Sequence, residues 1–260
     1  MTAIAFTRAV SPRLFDCETT QAFDAPIDPL RAIRQHAAYE DALIEAGFTI
    51  ERLPALPDHP DGVFVEDMAI LLGSHAIVTR PGAASRAGEA ESVAQGLAAA
   101  FTVHRLGEGH VDGGDVLEIG RTLYVGLSAR TDEAGVRALG ALAAPLGYRT
   151  VAIRVAGCLH LKSAATFAGH DGNGNPVLLH NPDWIPADLF EGVEPLAVTP
   201  GEAYGANVLR AGATLLAAAD SPRTAESLAA RGFSVVTLDI SEMRKADAAL
   251  TCMSLIADPG

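Results

Sequence analysis

Along the chain, alanine-rich stretches with apolar residues at helical spacing repeatedly give way to short apolar runs of strand character. The first predicts a helix over Pro29–Ala46, with Leu30, Ile33, Ala37 and Leu43 near one face. Gly47 then suits the left-handed position that ends a helix, and Phe48–Leu53 reads as the strand beyond it. The pattern returns as a helix over Ala87–Ala100 with strand Phe101–Leu106, and again as Asp132–Leu146, Gly147 and strand Tyr148–Val155. A weaker copy is helix Pro186–Glu191, Gly192 and strand Val193–Val198; the last is helix Pro222–Arg231, Gly232 and strand Phe233–Ile240.

Between the markers Gly47, Ala100, Gly147, Gly192 and Gly232 the steps are 53, 47, 45 and 40 residues. Two more strand-like runs sit inside each step: Val63–Leu72 with Ala76–Thr79, Asp115–Ile119 with Thr122–Val125, Leu159–Ala168 with Pro176–Leu179, and Asn207–Arg210 with Thr214–Ala217. Each unit therefore reads β-β-α-β, and Leu250–Ile256 offers a strand that completes the first unit by closing a ring. Five such units predict an α/β fold, a five-bladed α/β propeller with pseudo-fivefold symmetry, as one domain over residues 1–260. Closure leaves few sheet edges exposed. An open α/β sheet with irregular inserts is the competing architecture.

A strand that only builds core is apolar throughout, yet several of these units begin with charge. Glu66 and Asp67 interrupt the hydrophobic run after Asp61; Asp112-Gly113-Gly114-Asp115 opens the third unit and His160 the fourth; Cys252 lies in the closing segment. Taken singly, each has a plain structural reading: Cys252 as a small buried hydrophobe, His160 as a hydrogen-bonded core histidine, the acidic pairs as turns. In a ring, however, equivalent positions converge on the axis. Buried charges cost several kcal/mol unless paired or given a ligand, so their recurrence at one place calls for a flat cationic ligand in the pore. A cysteine with a histidine and a carboxylate to orient it is the constellation of a thiol nucleophile. A metal site built on His104, His110 and Asp112 matches no zinc spacing well, and Gly172-Asn173-Gly174-Asn175 reads as a hairpin turn.

Composition narrows this picture. With 260 residues and 49% hydrophobic content the chain has ample material for a core and is not disordered. The 19 basic against 32 acidic residues, net −13, form no basic stripe for nucleic acid. Three cysteines without metal spacing suit a reducing compartment, and no apolar run is long enough to span a bilayer. The expectation is a soluble, cytoplasmic protein without membrane or nucleic-acid partners; a homodimer is compatible with the sequence.

Several motifs in order resemble the dimethylarginine dimethylaminohydrolase family of the guanidine-modifying superfamily, which includes arginine deiminases and amidinotransferases. They are Phe64-Val65-Glu66-Asp67, Ile77 to Ala83 with Ser85-Arg86, Asp112 to Asp115, Gly126 to Thr131, Leu159-His160-Leu161-Lys162-Ser163 and Thr251-Cys252-Met253-Ser254. The resemblance spans essentially the whole chain. It implies the five-bladed α/β propeller (pentein) fold and hydrolysis of methylated arginines to citrulline and a methylamine, with no metal or organic cofactor. It further implies that Cys252 is the nucleophile, His160 the general acid/base and Asp112 its hydrogen-bond partner. Asp61, Glu66, Asp67, Arg86 and Arg130 are implied to bind a small cationic amino-acid substrate, under a lid at Leu14–Thr19. Arginine deiminase-like action on arginine or another guanidine or ureido amino acid is the nearest alternative. A non-catalytic propeller, as in a translation factor that prevents ribosomal subunit joining, is another, although it would need no thiol in the pore.

Overall fold

The computed structural model describes residues 3–20 and 25–258. Five three-stranded sheets follow one plan: an inner strand pairs antiparallel with a middle strand, which pairs parallel with an outer strand. The first blade closes the ring, because Leu255–Ala257 pairs antiparallel with Ile4–Thr7, Phe6 facing Leu255, and Ile4–Thr7 runs parallel to Thr49–Arg52. The other four are Ala69–Leu72, His75–Val78 and Thr102–Arg105; Val116–Ile119, Thr122–Leu127 and Arg149–Arg154; Ala165–His170, Pro176–His180 and Glu194–Ala197; and Leu209–Ala211, Thr214–Ala218 and Ser234–Leu238. The architecture is thus the five-bladed α/β propeller expected from the repeat.

The core explains why the middle strands are apolar at consecutive positions. Side chains alternate across a strand, and here each face meets a different neighbour. Tyr124 packs with Leu178 of the fourth blade, while Leu123 and Val125 pack with Ile77 of the second. Leu178 faces back to the third blade, and Val177 and Leu179 face Leu215 and Ala217 of the fifth. Ala5 joins Leu216, whereas Phe6 joins Ala76. One hydrophobic cluster fills each blade junction, and polar residues stand only at the ends of the middle strands, as Thr7, His75, Thr122, His180 and Thr214 do.

Crossover helices run from middle to outer strand in four blades: Pro29–Glu45, Glu89–Leu97, Glu133–Ala143 and Pro222–Ala230. Gly47, Gly147 and Gly232 adopt φ of 95°, 85° and 92° after three of them, as a left-handed helix end requires. Two expectations need correction. The fourth blade has only the turn Ala187–Leu189, because Pro182 and Pro186 leave too little uninterrupted chain for a helix. In Pro29–Glu45 the expected apolar face is misassigned: Leu30, Ile33 and Ala37 are exposed, while Gln35, Tyr39, Glu40 and Leu43 are buried. Two polar members of the buried face find partners there, Glu40 accepting from Thr7 Oγ1 at 2.6 Å and Gln35 donating to Ser241 at 2.9 Å. Among the described residues no helix is long and apolar enough to cross a membrane.

Candidate active site

In every blade one short helical turn precedes the inner strand: Val65–Met68, Gly113–Asp115, Leu161–Ala164, Ala203–Ala206 and Thr251–Met253. This corrects the strands expected over Val63–Leu72, Leu159–Ala168 and Leu250–Ile256, whose first halves are turns. The physical reason is directional. A strand would send Glu66 and Asp67 to opposite faces, whereas a turn lets both reach the pore with different partners. Two glycines allow these turns to crowd together. A Cβ at Gly113 would lie 2.0 Å from the Glu66 carbonyl oxygen, and one at Gly114 would lie 2.6 Å from His160 Nδ1.

His160 is held between carboxylates. Its Nε2 is 3.2 Å from Asp112 Oδ2 and its Nδ1 is 3.9 Å from Asp67 Oδ1. Asp112 is fixed by the Gly82 N–H donating to Oδ1 at 2.8 Å. Asp115 accepts from Ser128 at 2.6 Å, Thr131 at 2.7 Å and the Leu161 N–H at 2.9 Å. Burial works against the imidazolium, but the charges of Asp67 and Asp115 and the hydrogen bond from Asp112 prevail and raise His160 to about 9. Burial likewise opposes ionisation of Asp67, yet His160 and Arg86 hold its carboxyl below the usual range.

Cys252 accepts a hydrogen bond from the Ala249 N–H at 3.4 Å. Burial, then the charges of Glu66 and Asp67, push its thiol well above the ordinary range. Glu66 is clamped from two sides, by Lys162 Nζ at 2.7 Å and Thr251 Oγ1 at 2.8 Å. Asn207 completes that clamp, donating to Thr251 Oγ1 at 3.0 Å and accepting its N–H at 3.2 Å. Asp61, raised by burial to about 6, accepts the Glu18 N–H at 3.2 Å.

Arg86 is placed differently from expectation. It is 5% exposed, and its guanidinium donates to Glu89, Asp67 and the Phe64 carbonyl, leaving little of the fork for a ligand. Arg130 is half-buried and lines the same cavity as Cys252 and His160, with no side-chain partner among the described residues. That cavity measures about 20 Å³, room for about one water. Glu18 lies over it, with Ser85 Oγ donating to Glu18 Oε1 at 2.7 Å and Thr20 Oγ1 donating to Asp247 at 2.7 Å. Glu66 and Lys162 line a second cavity, of about 1410 Å³.

The suggested metal residues separate: His104 contacts His75 at 3.0 Å and His110 contacts Asp132 at 3.1 Å. Asp67, Asp112 and His160 do offer ligand atoms within 4.8 Å of one another. A metal cation there would confront Arg86 and a protonated His160, so the donor set suits a proton better. Sequence reasoning gave no role to Asp115 and Lys162, although both lie in quoted motifs. It likewise gave no role to Thr251, which lies in a quoted motif, or to Asn207, both read as strand positions, or to Glu89, which looks like an exposed helix-start acid.

No family model matches the chain. It is 41% identical over 253 residues to N(G),N(G)-dimethylarginine dimethylaminohydrolase of Streptomyces coelicolor, covering 96% of this chain and 95% of that one. The Pseudomonas aeruginosa protein of the same name is 33% identical over 251 residues, covering 95% and 96%. A solved structure of the Pseudomonas aeruginosa enzyme, a cysteine-to-serine variant complexed with citrulline, superposes with a TM-score of 0.92 at 32% identity, covering 99% and 100%. The N-terminal domain of a cyanobacterial arginine dihydrolase shares the fold with a TM-score of 0.84 at 20% identity, covering 98% and 97%.

Proposed function

The chain belongs to the dimethylarginine dimethylaminohydrolase family, and from that premise we propose that it hydrolyses Nω-methylated arginine to citrulline and a methylamine through a covalent intermediate on Cys252. One observation carries this reading: the Cys252 thiol shares one cavity with Asp67, Asp112 and His160, and a cation bound beside it would favour the thiolate. The planar guanidinium suits hydrogen bonds to Asp67 in that cavity; Glu66, expected to bind it too, is instead tied to Lys162 and Thr251 and does not line the cavity around Cys252. Arg130, with the remaining Nη1 N–H of Arg86, suits the substrate carboxylate at the other end, and Asp61 its ammonium.

His160 is already protonated at neutral pH, so it does not take the thiol proton; that proton leaves for solvent as the cation enters. The thiolate attacks the guanidinium carbon, forming the C–S bond of a tetrahedral adduct. His160 then protonates the substituted nitrogen, because an amine does not depart as its anion, and the C–N bond breaks. Neutral His160 next takes a proton from water, whose oxygen adds to the thiouronium carbon. Collapse breaks the C–S bond while the added hydroxyl gives up its proton to the departing sulfur, releasing citrulline and the Cys252 thiol.

The test is direct. Purified protein is incubated with asymmetric dimethylarginine, monomethylarginine and arginine, and citrulline and released amine are quantified. Methylated substrates are expected to dominate; arginine turned over far better would overturn the reading in favour of deiminase-like action.

A further inference from the structure

We propose that Glu89 is a positioning residue for this reaction: together with Asp67 it clamps the Arg86 guanidinium in one plane and so holds Asp67 against His160. Glu89 opens the helix Glu89–Leu97, is 1% exposed and does not line the cavity around Cys252. Arg86 donates to it through two atoms, Nε to Oε1 at 3.2 Å and Nη2 to Oε2 at 2.9 Å. This parallel fork fixes the guanidinium plane as a single contact would not. The remaining terminal nitrogen, Nη1, is thereby aimed at Asp67 Oδ2, 2.5 Å away. Asp67 Oδ1 in turn accepts the Gly114 N–H at 3.1 Å and faces His160 Nδ1.

The chain Glu89–Arg86–Asp67–His160 alternates in sign from the periphery to the pore. Removing one negative end leaves Arg86, a buried cation, opposed mainly by Asp67, whose charge is then less available to the imidazolium. Three further groups face Glu89; one is Asp61, a carboxyl that the Glu89 charge helps to raise and whose own charge opposes that of Glu89. His59 Nδ1 lies 3.9 Å away on the preceding loop. Arg8, fully buried, reaches the same region from the end of the first strand and donates to the Gly62 and Pro54 carbonyls. His59 and Arg8 are cationic or can become so, and they make the loss of Glu89 charge more strongly felt, not less.

The inference rests on the assignment of His160 as the acid of the reaction. Its test is Glu89→Gln, which keeps length and removes charge, beside Glu89→Asp, which keeps charge. The readouts are the His160 imidazole titration by nitrogen NMR and the pH profile of kcat with asymmetric dimethylarginine. In Glu89→Gln the titration and the alkaline limb are both expected to move down by about half a unit or more, as loss of a buried negative charge near the imidazolium requires. kcat should fall about tenfold, and Glu89→Asp should recover part of the shift. An unmoved titration in a folded Glu89→Gln protein overturns the inference. Should that variant not fold, Arg86→Lys breaks the fork while keeping every charge, and an unmoved titration there overturns it equally. A shifted titration in a protein that turns over no methylated arginine would sustain the clamp and sink the functional reading instead.

Discussion

Within each blade two adjacent segments differ in character. The middle strand is mainly apolar and repeats in kind from blade to blade; the short turn before the inner strand recurs in every blade but carries different side chains each time. Middle strands are alike because both their faces have the same task, filling a junction on either side. The turns differ because they meet around one pore, where each side chain has another partner: Glu66 meets Lys162, Asp67 meets Arg86, and His160 meets Asp112. The repeat builds the ring, and departures from it build the site.

Substitutions on the two sides of this divide should fail in different ways. Cys252→Ser should lower turnover by on the order of 10⁴-fold with the melting temperature nearly unchanged, read as citrulline release beside thermal denaturation. Appreciable residual turnover would break the distinction. Leu178→Ala, fully buried in the junction of the third and fourth blades, should cost about 2–5 kcal/mol in urea unfolding while the folded fraction keeps its KM. Gly114→Ala sits on the divide, because its Cβ would press on His160 and on Asp67 Oδ1, 2.9 Å away. A loss of about 1–3 kcal/mol in stability is expected with a larger proportional loss of kcat.

The smallest effects are those of pH. kcat/KM should fall above about pH 9 as His160 loses its proton, and below about pH 6 as Asp61 gains one, each limb approaching tenfold per unit. Stability has its own sign. The folded value of His160 lies above its ordinary 6.5, so its contribution is complete below pH 6.5 and is lost as pH rises through 9. His160→Gln should flatten that alkaline decline in denaturant melts; an unchanged slope would show that the charge sandwich does not stabilise the fold.

Much of this was legible along the chain. The spacing from Gly47 to Gly232 marked the units, and Leu250–Ile256 pointed to ring closure, which Leu255–Ala257 performs beside Ile4–Thr7. Polar residues interrupting apolar runs at Glu66, Asp112 and His160 pointed to the pore. What could not be read was local conformation at those interruptions, since a short turn and a strand start share the same apolar flanks. The fate of Arg86 was equally hidden. Whether an arginine meets a ligand or a buried acid depends on Glu89, three residues on, whose burial no periodicity reveals.

The sequence by itself determined the number of units, the order of elements and the residue types that converge, because these follow from hydrophobic period and from groups too costly to bury without a partner. Only the tertiary structure decided which face of Pro29–Glu45 is buried, that Lys162, Thr251 and Asn207 clamp Glu66, and that two carboxylates share Arg86. Those outcomes depend on contacts between blades far apart in the chain, where distance and desolvation, not local pattern, set the energy.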